Sequence, residues 1–332
     1  MARIGVNPGR GRSSDYRPAK VTVALLCHIP NLDGYFKHRL DVLKLSLASL
    51  HAHTPEPHDL LVFDNGSCPP VVDYLREMHL GGVVDYLVLS QRNIGKIGAF
   101  KLLFQTAAGE IVAYCDGDIF FYPGWLPAHL AVLEAFPQVG MVSGIPLRDR
   151  SARASRSLRE IESKGASGVT ITRERLVPDE WEADWAVSVG RDPKEHLAST
   201  ADHKEVVLRA GGIKAVGTAS HFQFVSPRRI VLEALPDNWS GRLMGEMIEL
   251  DEAVDDAGYL RLSTTQRFVR HMGNALSPDM VNTAEEFGLR VGAPVDSPSY
   301  RRYWLMRVPG VRRLVRFLYN LAFDLLHRGG ER

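Results

Sequence analysis

Short apolar runs alternate with stretches of helical periodicity between Lys20 and Gly144. The run from Val21 to Cys27 has the length and composition of a strand buried on both faces. Behind it, Phe36, Leu40, Leu43, Leu47 and Leu50 recur three or four residues apart, the stripe of a core-facing helix over 35–50. Leu60 to Phe63 predicts a second strand that ends in Asp64-Asn65-Gly66-Ser67. Pro69-Pro70 then opens a helix that runs towards His79 and stops at Gly81-Gly82. Val84 to Leu89 predicts a third strand, and Asn93-Ile94-Gly95-Lys96 leads into a helix ending near Ala108. Ile111 to Cys115 follows as a fourth strand, Pro123 to Phe136 as a helix and Val139 to Ser143 as a fifth strand. This alternation predicts an α/β fold with a mostly parallel sheet covered by helices.

Three polar clusters follow strands directly, where open α/β sheets bind ligands. After the fourth strand, Asp116 and Asp118 are separated only by Gly117, which lets the backbone turn so that both carboxylates converge on one divalent ion and the phosphates it carries. The competing reading of Asp-Gly-Asp is a surface turn. Asp64 is placed to accept hydrogen bonds from a base or ribose, or else to cap its own turn. Gly95 and Gly98 permit close backbone approach, while Asn93 and Lys96 supply donors to phosphate or sugar oxygens or cap the next helix. Trp125 either lines a sugar pocket or packs its helix on the core.

The 332 residues, 45% hydrophobic and 24% charged, suffice for one large α/β domain or two smaller ones. A net charge of +1 argues against a nucleic-acid partner. Cys27, Cys68 and Cys115 lack metal-ligand spacing and read as reduced packing residues, which fits a cytoplasmic protein. Residues 1–19, with Arg3, Arg10, Arg12 and Arg17 among Gly, Ser and Pro, read as a disordered basic tail. No apolar run is long enough to span a bilayer. In the closing segment, 276–332, Val311, Leu314, Val315, Leu318, Leu321, Ala322 and Leu325 recur at helical spacing among Arg312, Arg313, Arg316 and Arg328. Such a helix suits peripheral contact with the inner face of an anionic membrane, its own domain or a partner subunit.

Taken in order, the Asp64-Asn65-Gly66-Ser67 strand end, the Asn93-to-Ala99 turn, Asp116-Gly117-Asp118, Pro123-Gly124-Trp125-Leu126, the acidic helix before Ala257-Gly258-Tyr259 and Val269-Arg270-His271 resemble the family 2 glycosyltransferases of GT-A fold. The resemblance covers roughly 20–275. It implies a nucleotide-sugar donor, in the first instance a UDP-sugar, with Asp64 on the base, Asn93, Gly95, Lys96, Asp116, Gly117 and Trp125 around the donor, and Mn²⁺ or Mg²⁺ on Asp118, Asp116 and His271. It also implies a glycan or lipid-linked acceptor, as in cell-surface polysaccharide or glycolipid synthesis, and makes 147–215, with Trp181 and Trp185, an acceptor-side insertion. His221, where strand character returns, is placed to face the acceptor.

An inverting transfer needs one group to take the acceptor hydroxyl's proton. Where the family carries an adjacent Glu-Asp pair, this chain reads Glu246-Met247, so the candidate bases rank Glu246, then Glu249, then Asp251, with Glu252, Asp255 and Asp256 on a solvated face. A dinucleotide oxidoreductase is disfavoured, because Cys27-His28-Ile29-Pro30-Asn31 stands where a Gly-rich turn would follow the first strand. A sugar-nucleotide pyrophosphorylase lacks its phosphate loop for the same reason. A nucleotide-sugar-binding protein without chemistry remains as the alternative.

Overall fold

The first strand, β1 (Val21–Cys27), is buried at every position because helices cover both faces of the sheet it centres. A single 3-10 turn, Gly34–Phe36, precedes α1 (Arg39–His53), whose Leu43, Leu47 and Leu50 pack with Val23 and Leu25. There follow β2 (Asp59–Asn65), α2 (Pro69–Leu80), β3 (Tyr86–Ser90), α3 (Lys96–Thr106), β4 (Ile111–Asp116), β5 (Ile119–Phe121), α4 (Trp125–Ala135) and β6 (Val139–Ser143). Next come α5 (Arg156–Lys164), β7 (Thr170–Glu174), α6 (Asp179–Ser188), α7 (Pro193–Ser199), β8 (Glu205–Ala210), β9 (Ile213–Val216) and β10 (Gln223–Pro227). The described elements end with α8 (Arg228–Ala234), α9 (Met247–Asp256), β11 (Leu260–Thr264), β12 (Val269–His271) and α10 (Pro278–Glu286).

This computed structural model describes residues 5–136, 138–148, 155–236 and 247–295. They belong to one unit, Met1–Val295; the unit Asp296–Arg332, and with it the basic C-terminal helix expected from the sequence, lies outside the described residues. Among the described residues no helix is long and apolar enough to cross a membrane.

Ten strands form one sheet in the order β3-β2-β1-β4-β10-β6-β11-β9-β8-β7. The first four are mutually parallel, β10 runs antiparallel between β4 and β6, and β11 is parallel to β6. The mixed, mostly parallel α/β architecture expected from the alternation is thus present. Helices α1, α2 and α4 bury Leu43, Leu75 and Trp125 on one face, and α3, α8 and α9 bury Phe100, Ile230 and Leu250 on the other.

Register decides where the polar clusters meet. Cys27 lies opposite Asp64, Leu26 opposite Asp116 and Asn65 opposite Ser90, so the carboxyl ends of β3, β2, β1 and β4 form one continuous edge. The stretch over 147–215 extends the same sheet: β7 pairs with β8, β8 with β9 and β9 with β11. A buried charge cluster pins it. The Arg148 amide donates to Glu182 Oε1 at 2.6 Å, His196 Nε2 bonds Glu182 Oε2 at 2.5 Å, and the Arg148 guanidinium lies 3.7 Å from Glu205. Residues 5–19 carry no helix or strand, yet the Tyr16 hydroxyl and the Ala19 amide both donate to Asp59 Oδ2 at 3.1 Å.

Candidate active site

Two loops meet at the end of β2 through one side chain. Asn65 Nδ2 donates to Asn93 Oδ1 at 3.0 Å, and Asn65 Oδ1 accepts from the Ile94 amide at 2.9 Å, which fixes the turn that opens α3. His28, just past β1, closes the set: its Nδ1–H donates to the Asn65 carbonyl at 2.9 Å and its Nε2 accepts from Asn93 Nδ2 at 3.1 Å. Burial holds the His28 pKa below its ordinary 6.5, so the ring is a neutral bridge at neutral pH. Nothing in its local sequence marked His28 as part of a site.

Asp64 is fully buried. One of its oxygens, Oδ2, accepts from the Ser67 amide at 3.1 Å, the turn-capping role, while Oδ1 has no hydrogen-bond partner among the described residues. A buried carboxylate oxygen left without a donor is costly, and a bound group with an N–H or O–H relieves that cost.

The two carboxylates of the Asp-Gly-Asp element differ in surroundings. Asp116 is held from both sides: the Tyr114 hydroxyl donates to Oδ1, and Lys96 Nζ, at the start of α3, lies 2.7 Å from Oδ2. Burial and then the adjacent Asp116 charge push the Tyr114 pKa well up, so the phenol stays a donor. Asp118 Oδ2 meets the Arg39 guanidinium at 2.5 Å, and Arg39 also donates to the Gly273 carbonyl at 2.8 Å. Burial raises the pKa of Asp118, but Arg39, His271 and Lys96 together more than offset it and the carboxyl sits below its ordinary value. Gly117 is not in the left-handed region that would demand glycine for a turn. It is there for space, because a Cβ would stand 3.1 Å from Leu43 Cδ1 and 3.5 Å from the Leu26 carbonyl oxygen.

The small sheet delivers His271. β12 pairs antiparallel with β5, His271 lies opposite Ile119, and the Met272 amide donates to the Asp118 carbonyl at 2.8 Å. His271 Nε2 stands 3.5 Å from Asp118 Oδ2. Ser188 Oγ–H donates to the Trp185 carbonyl at 2.8 Å, so its oxygen accepts from His271 Nδ1–H, also at 2.8 Å. That assignment leaves a lone pair on Nε2 facing Asp118, the tautomer metal-binding imidazoles use.

Among the described residues no three His, Cys, Asp or Glu side chains converge as a ready metal cage. A cage is not what Mg²⁺ or Mn²⁺ needs here, since such ions sit on one or two protein groups and complete their shell with substrate phosphate and water. Asp118 Oδ1 is buried with no hydrogen-bond partner among the described residues, and His271 Nε2 stands beside the same carboxylate, so the donor chemistry fits. Arg39 and Lys96 are the competing cations.

Other expected residues fall elsewhere. Trp125 does not line a sugar pocket: it is fully buried, donates from Nε1 to Thr54 Oγ1 at 2.9 Å and packs its ring 4.7 Å from that of Phe121, because the first turn of α4 faces the core. Glu246 lies outside the described residues, and Glu249 is exposed on α9. Asp251 is engaged at both oxygens, with Arg261 Nη2 2.7 Å from Oδ1 and His221 Nδ1 2.9 Å from Oδ2, so it is not a free base. Asp255, read as solvated, is buried and accepts from the Arg156 and Ser157 amides at 2.6 and 2.9 Å, capping α5 across the chain. Met247 sits in the apolar cluster under α9.

A mixed, mostly parallel sheet with carboxylates, amides and a lysine gathered at its strand ends is a GT-A-like α/β architecture. Residues 35–184, somewhat less than half of the chain, match the family model of glycosyl transferase family 2. No curated protein matches the chain. Among solved structures, it is similar to the mannosyltransferase PcManGT from Pyrobaculum calidifontis in complex with GDP-Man and Mn²⁺, with 24% identity, 40% of this chain and 37% of that chain covered, and a TM-score of 0.31. A second similar structure is S. aureus TarS, with 17% identity, coverage of 38% and 21%, and a TM-score of 0.30. The chain thus spans less than two thirds of either structure's length.

Proposed function

We propose that the chain moves a sugar from a nucleoside-diphosphate donor to an acceptor hydroxyl, with inversion and with Mn²⁺ or Mg²⁺ bound. One observation supports this most strongly: Asp64, Asn93, Lys96, Asp116 and Asp118, from three separate segments, are gathered at one sheet edge in a chain that matches this family's model over 35–184. The orphaned Asp64 Oδ1 receives a donor from the base or ribose, and the His28–Asn93–Asn65 network holds the loop around it. Asp118 Oδ1 and His271 Nε2 are the groups that hold the ion, with Asp116 on the ribose or reaching the ion through water. An ion held by these groups would supply positive charge against the charge that develops as the nucleoside diphosphate leaves. Lys96 adds a point charge of the same sign at the start of α3.

Residues 147–215, whose β7 and β8 share the sheet at its β11 side, are the acceptor side in this reading, and a glycan or lipid-linked hydroxyl is the acceptor class. The closing segment of 276–332, with its basic helical periodicity, is the part proposed to meet a membrane, its own domain or a partner. The site is tested by calorimetric titration with UDP, GDP, CDP and dTDP, with and without Mn²⁺, on wild type and Asp118→Ala. Metal-dependent binding of one nucleotide, lost in the variant, is expected; no binding of any of the four would overturn the reading.

A second reading has one observation behind it. The buried Met247 supplies no carboxylate at the position after Glu246, which suits a nucleotide-sugar-binding protein without turnover. Release of nucleotide from a bound donor separates the two.

A further inference from the structure

With Met247 in the apolar core and both oxygens of Asp251 engaged, the fold offers a proton acceptor of another kind beside them. We infer that His221 is the catalytic base of the transfer and that Asp251, held in turn by Arg261, is its positioning residue. This rests on the glycosyl-transfer reading above.

Placement carries the inference first. β10 lies antiparallel to β4 with Gln223 opposite Cys115, and the Asp116 amide donates to the Phe222 carbonyl at 2.9 Å, extending the pairing by one residue. His221 is the next residue along, on the side of Gly117, at the centre of the Asp-Gly-Asp element. Phe222 itself packs its ring 5.2 Å from that of His271. Antiparallel neighbours stand only about 5 Å apart, so an imidazole here reaches over the edge where the donor diphosphate is proposed to sit.

Chemistry carries it second. The Asp251 carboxylate can only accept at 2.9 Å, so His221 Nδ1 carries the proton and donates, and Nε2 is left with a lone pair. The His221 side chain is 28% exposed whereas that of Asp251 is 11% exposed, so the ring is reachable while its orienting partner is not. Arg261, 5% exposed, lies 2.7 Å from Asp251 Oδ1 and donates to the Ala219 carbonyl at 2.6 Å, locking the carboxylate to the chain segment that carries His221. A base oriented by a buried carboxylate is the arrangement that general-base catalysis by histidine requires.

The step balances. The acceptor hydroxyl oxygen forms a bond to the anomeric carbon, the bond from that carbon to the donor phosphate oxygen breaks, and its electron pair leaves with the nucleoside diphosphate. The hydroxyl proton passes to His221 Nε2, the resulting imidazolium faces the Asp251 carboxylate, and the proton then goes to solvent.

The test uses the full chain with UDP-, GDP-, CDP- and dTDP-glucose as donors and water as the smallest acceptor hydroxyl. Nucleotide binding is measured by calorimetry alongside donor hydrolysis. The expected result is that His221→Ala binds nucleotide as wild type does, loses about 100-fold or more in hydrolysis, and recovers part of it with added imidazole. Asp251→Asn is expected to bind normally and turn over slowly, with Asp251→Glu restoring part of the rate, which a purely structural role would not give. Nucleotide binding with undiminished hydrolysis in His221→Ala overturns the base assignment alone. Absence of nucleotide binding in the wild type overturns the donor-site reading and the base assignment together.

Discussion

Arg39 and Asp118, 79 residues apart in sequence, form an ion pair at 2.5 Å with side chains only 14% and 12% exposed. Breaking one partner of such a pair strands the other charge in a poorly solvated place, which costs about 3–5 kcal/mol. Arg39→Gln is therefore expected to lower thermal stability by several degrees. Because the stranded carboxylate is also the proposed ion ligand, Mn²⁺ should restore more stability to this variant than it adds to the wild type. Melting curves with and without Mn²⁺ decide it; equal increments in both proteins would separate Arg39 from the ion site.

Gly66 joins the two donor-side loops by close approach. Its φ is +81°, and a Cβ there would lie 2.8 Å from the Arg92 carbonyl carbon and 2.9 Å from the Asn93 nitrogen, both backbone atoms. Gly66→Ala meets strain from the dihedral and from the clash, together about 2 kcal/mol or more. The Asn65–Asn93 contact should open as a result. Nucleotide affinity is expected to fall along with stability, and calorimetry beside a denaturant titration reads both.

Lys96 lies within 5.8 Å of the ring centres of Phe100 and Tyr114 as well as 2.7 Å from Asp116, so its ammonium is aimed before any ligand arrives. Lys96→Met keeps the stem and removes the charge. A loss of roughly 10- to 100-fold in diphosphate affinity is expected, with much less loss for the free nucleoside, in keeping with about 1.5–3 kcal/mol for a charge-assisted contact. Equal losses for both ligands would take Lys96 away from the phosphates.

His129 gives the protein an acid-sensitive core. It is fully buried, donates from Nδ1 to the Trp125 carbonyl at 2.6 Å, and burial lowers its pKa from 6.5 to about 4. The unfolded chain therefore binds a proton that the folded chain refuses between pH 6.5 and 4. The sign follows: this stability is present in full above 6.5 and is lost as pH falls towards about 4, by up to about 3 kcal/mol. In His129→Gln the decline in stability over that window should be shallower, as urea unfolding across the range would show.

The strand-end polar groups were legible because each sits where an apolar run stops, a signal contained within a few residues. Asp64, Asn93, Lys96, Asp116 and Asp118 all come together on that basis. Arg39 was not legible, since a lysine or arginine in the first turn of a helix looks the same whether solvated or paired with a carboxylate 79 residues away. Trp125 carried two readings in the sequence, and the Thr54 hydroxyl that holds it in the core is 71 residues distant. The charge of Asp255 misled for a related reason: it faces inward because the amides opening α5 wait there, and helical periodicity counts such a residue as polar. Charge predicts exposure only until a partner is found.

The route of β7, β8 and β9 has a consequence for how this protein could change its acceptor. Because these strands continue the ladder that runs through β11, β6 and β10 to the donor edge, the segment between β6 and β10 is part of the protein's load-carrying frame, not a detachable visor. Swapping it for another protein's segment would expose the bare rim of β11 and remove the Glu182 cluster whole, so chimeras should be spliced at matched strands, or diversity sought in the turns alone.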